Sequence, residues 1–308
     1  MSSGESKTAV IAAVIGNLAV ATIKFIAATI TGSSAMIAEG IHSLVDTGNG
    51  ALLLLGLKQA KRPADDEHPF GYGKSLYFWS LIVAMSIFGI GGGMSVYEGI
   101  IHIQHPSPLE NPLWNYVVLA IAFVIEGTSF FVAMREFNKA RGKQPVWAFI
   151  RASKDPSLYT VVFEDSAAML GLIVAFLGVL LGHLLENPYF DGGASVIIGL
   201  ILMGVAWLLA VETQGLLLGE GADAATVKRI REIVDADESV DRAGDVLTMY
   251  MGSHDMIVNV GVQFKAGVHA ETVHRSVHRI ESAIEAEFPQ VRNIYIEVES
   301  LPRVPTEK

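Results

Sequence analysis

Glu39, His42, Asp46 and Asn49 are spaced three, four and three residues apart inside an apolar stretch running from Ser33 to Leu57. On an α-helix, at about 100° per residue, these four fall within an arc of roughly 80°. His42 and Asp46, at i and i+4, stack on one face. An ionisable side chain at membrane depth costs a few kcal/mol and faces protein or a water-filled cavity rather than lipid. A single Asn or Ser there reads as polar glue between helices. A carboxylate, an imidazole and a second carboxylate in line form half of a cavity for a divalent cation. A second apolar stretch, beginning near Leu158, carries Glu164 and Asp165 and supplies the other half.

The ligand types narrow the ion. The chain has no cysteine, which excludes disulfides, zinc fingers and thiolate sites, so a metal must be held by nitrogen and oxygen. Imidazole nitrogen with carboxylate oxygens in a four-ligand shell suits Zn²⁺; Co²⁺ and Cd²⁺ fit the same donors, whereas all-oxygen octahedra suit Mn²⁺ or Mg²⁺. His42 also offers a proton handle, because metal and proton compete for the imidazole. Metal entering from one side displaces protons, and protons from the other side displace metal.

These residues need a membrane framework, and the composition provides one. Of 308 residues, 51% are hydrophobic and 18% charged, where a soluble domain has about 25% charged. The charge of −10 argues against nucleic acid as a partner. Six candidate spans emerge, at 8–31, 33–58, 75–101, 113–135, 157–182 and 193–217, each long enough to cross a bilayer. Asp155 is an N-cap and Pro156 a first helical residue for the fifth span, which sets Asp165 roughly 14 Å deep; Asp46, about twelve residues from the cytoplasmic end of its own helix, lies roughly 18 Å deep. Lys58, Lys61, Arg62 and Lys74 follow the second span; Arg135, Lys139, Arg141, Lys143, Arg151 and Lys154 follow the fourth; the other three connections hold no Lys or Arg. The positive-inside rule then makes the even-numbered loops and both termini cytoplasmic. No organelle-targeting segment precedes the first span, which leads to the expectation of a bacterial cytoplasmic (inner) membrane. Glycines cluster at Gly89, Gly91, Gly92 and Gly93 and again at Gly199 and Gly204, as close helix packing or a hinge requires.

From residue 218 the character changes. Segment 218–308 carries 10 Lys+Arg against 16 Asp+Glu, a net of −6. Its pattern predicts a helix at 223–237, strands at 243–250 and 256–264, a helix at 269–288 and a strand at 292–299. The fold class is thus an α-helical membrane protein: a six-helix transmembrane domain over 1–217, then a cytoplasmic αββαβ domain over 218–308.

The stretches AEGIHSLVDTGN, PADDEHPFGYGK and KDPSLYTVVFEDSAAMLG resemble the cation diffusion facilitator family of zinc transporters, and the order of elements is similar over nearly the whole chain. The EDSA segment looks closest to the zinc transporter nine branch. The resemblance implies a homodimer in the lipid bilayer that exports Zn²⁺ from the cytoplasm in exchange for H⁺, a metallochaperone-like C-terminal domain, and no resident cofactor. It implies metal ligation by His42, Asp46 and Asp165. The family's usual fourth ligand falls on Val161, so either water completes the shell or Glu164 does; Glu164 is the preferred reading, with Glu39 and Asn17 as further contributors. The loop at Asp65 and His68 is similar to a secondary metal site, with Tyr72 in place of a second histidine; an ordered turn serves equally well. His274 and His278, four apart on a helix, read as a solvated face more readily than as ligands. Carriage of Co²⁺, Cd²⁺, Fe²⁺ or Mn²⁺ stands as the alternative. A zinc enzyme would show H-E-x-x-H on a helix, which is absent, and a membrane-anchored sensor would not need ionisable groups at membrane depth.

Overall fold

The structure, a computed structural model, describes residues 3–298, with side chains from residue 17 onward. It divides into two units, Met1–Lys58 with Leu76–Gln214, and Gln59–Ser75 with Gly215–Lys308.

The first unit is helical. It comprises α1 (Ser3–Thr31), α2 (Ser34–Ala60), α3 (Ser75–Ser86), α4 (Met94–Gln104), α5 (Leu113–Arg141), α6 (Val146–Ala152), α7 (Pro156–Leu184) and α8 (Tyr189–Leu218). Helices α3 and α4 are one rod joined by a π-helical segment, Ile87–Gly93. Its sequence, IFGIGGG, holds four glycines, which have little preference for regular α-helical backbone. Among the described residues, four rods are long and apolar enough to cross a membrane: 75–104, α5, α7 and α8. The expected six spans are therefore met at four on length and apolarity, because the polar stripe of α2 lowers its hydropathy and, in α1, the apolar stretch among the described side chains is Asn17–Thr31. The core is built from small residues, with Ala27, Ala35, Ala38, Ala122 and Ala175 all 1% exposed or less, as expected where helix backbones approach closely.

Two devices set the helices that matter for the site. Asp155 accepts hydrogen bonds from the Ser157 N–H at 3.0 Å and the Ser157 hydroxyl at 2.5 Å, with Pro156 in the first turn, so α7 starts where its sequence indicates. The fully buried Asp191 of α8 takes the Ser33 hydroxyl at 2.6 Å, the Ser34 N–H at 2.5 Å and the Ser34 hydroxyl at 3.0 Å. A carboxylate there satisfies the free N–H groups and positive dipole end of α2.

Glycine permits the closest crossing. A Cβ on Gly99 would lie 2.7 Å from the Gly192 carbonyl oxygen, and one on Gly199 would lie 2.7 Å from that of Gly92. The neighbours are backbone and cannot rotate away. Gly99→Ala is expected to destabilise by about 1–3 kcal/mol, read as a lowered thermal midpoint in detergent; Gly193→Ala, whose Cβ meets nothing within 4 Å, is the control expected to melt as wild type.

The second unit is a three-stranded sheet with two helices, α9 (Ala224–Asp235), β1 (Val240–Gly252), β2 (Asp255–Phe264), α10 (Ala270–Glu287) and β3 (Val291–Val298). The αββαβ order is the expected one; residue 299, assigned to the last strand from sequence, lies outside the described residues. Strand order is β1-β2-β3, antiparallel then parallel, the parallel pair being joined through α10 as parallel strands require. Alternate residues Met256, Val258, Val260 and Val262 are fully buried against Ile230, Val234 and Ile284. Asp237 ties the unit together: Arg279 donates to both its oxygens at 2.9 and 3.0 Å and Ser276 donates at 2.6 Å.

Candidate metal centre

The four polar residues of α2 share one face but not one partner. His42 is 1% exposed, and neither ring nitrogen has a hydrogen-bond partner among the described residues. Its nearest charged neighbour is Asp46, with Nδ1 3.4 Å from Oδ1, and that oxygen is also buried without a hydrogen bond. Asn49 donates to Glu164 Oε1 on α7 at 2.8 Å. Asp165, next along α7, accepts from Ser129 of α5 at 3.3 Å. Glu39 turns to α1, where Lys24 Nζ donates to its Oε2 at 2.9 Å.

Asp46, Glu164 and Asp165 line one cavity of about 160 Å³, with Asn17 from α1, Ser43 from α2, Glu126 and Ser129 from α5, and Val161 and Ala168 from α7. Carboxylates from three helices thus face a common space large enough for an ion and several waters. Among the described residues no three His, Asp or Glu side chains converge to ligation distance in this conformation. An ion entering would have to draw the carboxylates inward, which the cavity leaves room for. Val161 contributes only an apolar wall.

Sequence reasoning missed two charged residues here. Lys24 is completely buried, and its ammonium donates to Glu39 at 2.9 Å, to Ser43 at 2.9 Å and to Glu126 at 2.7 Å. Each is an ionisable group in the middle of an apolar helix, the signal that singled out His42 and Asp46. Each is the one charged residue in the apolar part of its helix, residues 8–31 and 113–134, so spacing offers no second cue.

Outside the membrane helices, Asp65 closes a turn. Its Oδ1 accepts the His68 N–H at 2.8 Å and its Oδ2 accepts the Tyr72 hydroxyl at 2.7 Å. The Tyr72 hydrogen bond, with those from His68, holds the Asp65 carboxyl below its ordinary range. The His68 ring rests on Tyr72 with centroids 4.1 Å apart, and the Arg62 guanidinium lies 4.2 Å from the Tyr72 centroid. Both Asp65 oxygens thus serve the turn. On α10, His278 is 81% exposed, with Glu281 3.9 Å away.

Residues 10–218 match the family model described as the cation efflux transmembrane domain, and residues 222–301 match the cation efflux protein cytoplasmic domain. The chain is 36% identical over 267 residues to the mitochondrial proton-coupled zinc antiporter SLC30A9 of Xenopus laevis, covering 86% of this chain and 48% of that protein. The corresponding antiporter of Homo sapiens is 36% identical over 248 residues, covering 80% and 44%. Metal tolerance protein C4 of Arabidopsis thaliana is 29% identical, covering 90% and 61%. The chain spans about half the length of the curated antiporters it matches. Their names also correct one expectation: the relatives 36% identical to this chain are mitochondrial, which overturns the assignment to a bacterial cytoplasmic membrane. That assignment rested on what precedes the first span, and where a sequence begins carries no such information.

Proposed function

Given that this chain belongs to the cation efflux family, in the zinc transporter nine-like branch, we propose that it is a proton-coupled antiporter of divalent metal ions, with Zn²⁺ as cargo. The observation that carries this reading is the buried imidazole of His42, without a hydrogen bond and 3.4 Å from Asp46, which with Glu164 and Asp165 walls a cavity. A neutral imidazole nitrogen and carboxylate oxygens are a zinc donor set. Each ligand must shed its proton to bind metal, so loading releases protons and reprotonation releases metal. His42, Asp46 and Asp165 form the ligand set, and Glu164 joins them by releasing Asn49. The relatives' names include a proton-coupled zinc antiporter and a metal tolerance protein, in keeping with that chemistry.

In this reading the membrane is crossed six times, by α1, α2, the joined α3–α4 rod, α5, α7 and α8. The two Lys/Arg-rich connections and the sheet unit then lie on one side. The membrane that fits the relatives is a mitochondrial one. Two protomers associate as a homodimer, and the helices of each rock about the site to expose it to alternate sides. The residue ranges 1–217 and 218–308 are the proposed transport and accessory domains.

The test is flux in proteoliposomes holding the purified protein, with Zn²⁺, Co²⁺, Cd²⁺, Fe²⁺ and Mn²⁺ offered singly across an imposed pH gradient. Zinc is expected to move against the proton gradient and to collapse it. Failure of every ion to move, or movement indifferent to the gradient, would overturn the proposal.

A further inference from the structure

We propose that Glu126 is a ligand of the transported cation, resting on Lys24 while the site is empty. The inference rests on the transport reading and extends its ligand set to a third helix, α5. Glu126 lines the same cavity as Asp46, Glu164 and Asp165. Its two oxygens are used unequally. Oε1 accepts from Lys24 at 2.7 Å and lies within 3.4 Å of the Ser43 hydroxyl, whereas Oε2 is buried and has no hydrogen-bond partner among the described residues. A buried carboxylate oxygen without a donor is unfavourable, and in a native structure such an atom is completed by water, an ion or a ligand, or serves a functional role.

The charge arrangement supplies the second argument. Lys24 faces two carboxylates, Glu39 and Glu126. Glu39 is fully buried and bound to Lys24 at 2.9 Å, and its free Oε1 points at the close-packed backbone of Gly171, not into the cavity. Glu39 alone balances the ammonium, and Ser43 remains as its second acceptor at 2.9 Å. Glu126 is therefore the surplus carboxylate. It can swing from Lys24 to an incoming dication without leaving Lys24 unpaired. Helix α5 thereby gives the cavity an oxygen that Val161 of α7 cannot supply.

The test uses the full chain in lipid nanodiscs and Zn²⁺ alone as probe, titrated in competition with a chromophoric chelator. In Glu126→Gln the amide oxygen still accepts from Lys24, so the thermal midpoint should stay near that of wild type, while zinc affinity falls by about 10–100-fold, the range seen when a metal site loses a supporting group. Wild-type affinity in Glu126→Gln would make Glu126 a counter-ion of Lys24 only and overturn the inference, leaving the transport reading intact. No zinc binding by the wild type would remove both. Should Glu126→Gln fail to accumulate, the zinc-loaded structure of the wild type decides: a Glu126 oxygen within about 2.2 Å of the metal supports the assignment, and Glu126 still on Lys24 with zinc bound overturns it.

Discussion

Asp165→Ala and Asp46→Ala are each expected to reduce zinc flux to the background of protein-free vesicles, at least about 100-fold below wild type. Loss of an outer partner of a metal ligand already lowers affinity 10–100-fold, and these are proposed ligands. Both carboxylates line the cavity, and neither is paired with a Lys or Arg whose stranding would unfold the helices: Asp165 accepts one long hydrogen bond from Ser129 at 3.3 Å, and Asp46 Oδ1 accepts none and faces only the His42 imidazole at 3.4 Å. The two variants should therefore melt at or slightly above the wild-type temperature while failing to transport. Retained flux in both would refute the ligand assignment.

Lys24→Met has the opposite signature, a stability defect. The substitution leaves Glu39, 0% exposed, facing a thioether in place of an ammonium, and strips Glu126 of its 2.7 Å partner. Removing one member of a buried pair destabilises by about 3–5 kcal/mol because the remaining charge is stranded. For a chain of this size that corresponds to a fall on the order of 10 °C in the thermal midpoint. Lys24→Met combined with Glu39→Gln should recover part of the loss, since it removes the stranded charge. A Lys24→Met protein that melts within about 2 °C of wild type would mean that water or lipid headgroups reach this network.

Most of the helices were legible because apolar runs of membrane length are long, and the sheet unit because β2 alternates Val258, Val260 and Val262 with Asn259, Gly261 and Gln263. Short or irregular pieces were not. The seven-residue α6 sits in a charged connection where periodicity has no room to develop, and the π-helical turn at Ile87–Gly93 reads from sequence only as a glycine cluster. The site was half legible. Sequence treats Glu39, His42, Asp46 and Asn49 as one stripe, but neighbouring helices divide it, giving Glu39 to Lys24, Asn49 to Glu164 and only Asp46 to the cavity. Lys24 and Glu126 are 102 residues apart, and Asp191 caps a helix 157 residues away; such pairings are fixed by tertiary packing and leave no local spacing to read.

The most direct measurement is zinc K-edge absorption of the purified, zinc-loaded protein beside the Asp46→Ala/Asp165→Ala double variant. The expected wild-type shell is one imidazole nitrogen and carboxylate oxygens at about 2.0–2.2 Å, one ion per protomer, absent from the variant. An unchanged zinc shell and stoichiometry in the variant would place the ion elsewhere and contradict the account.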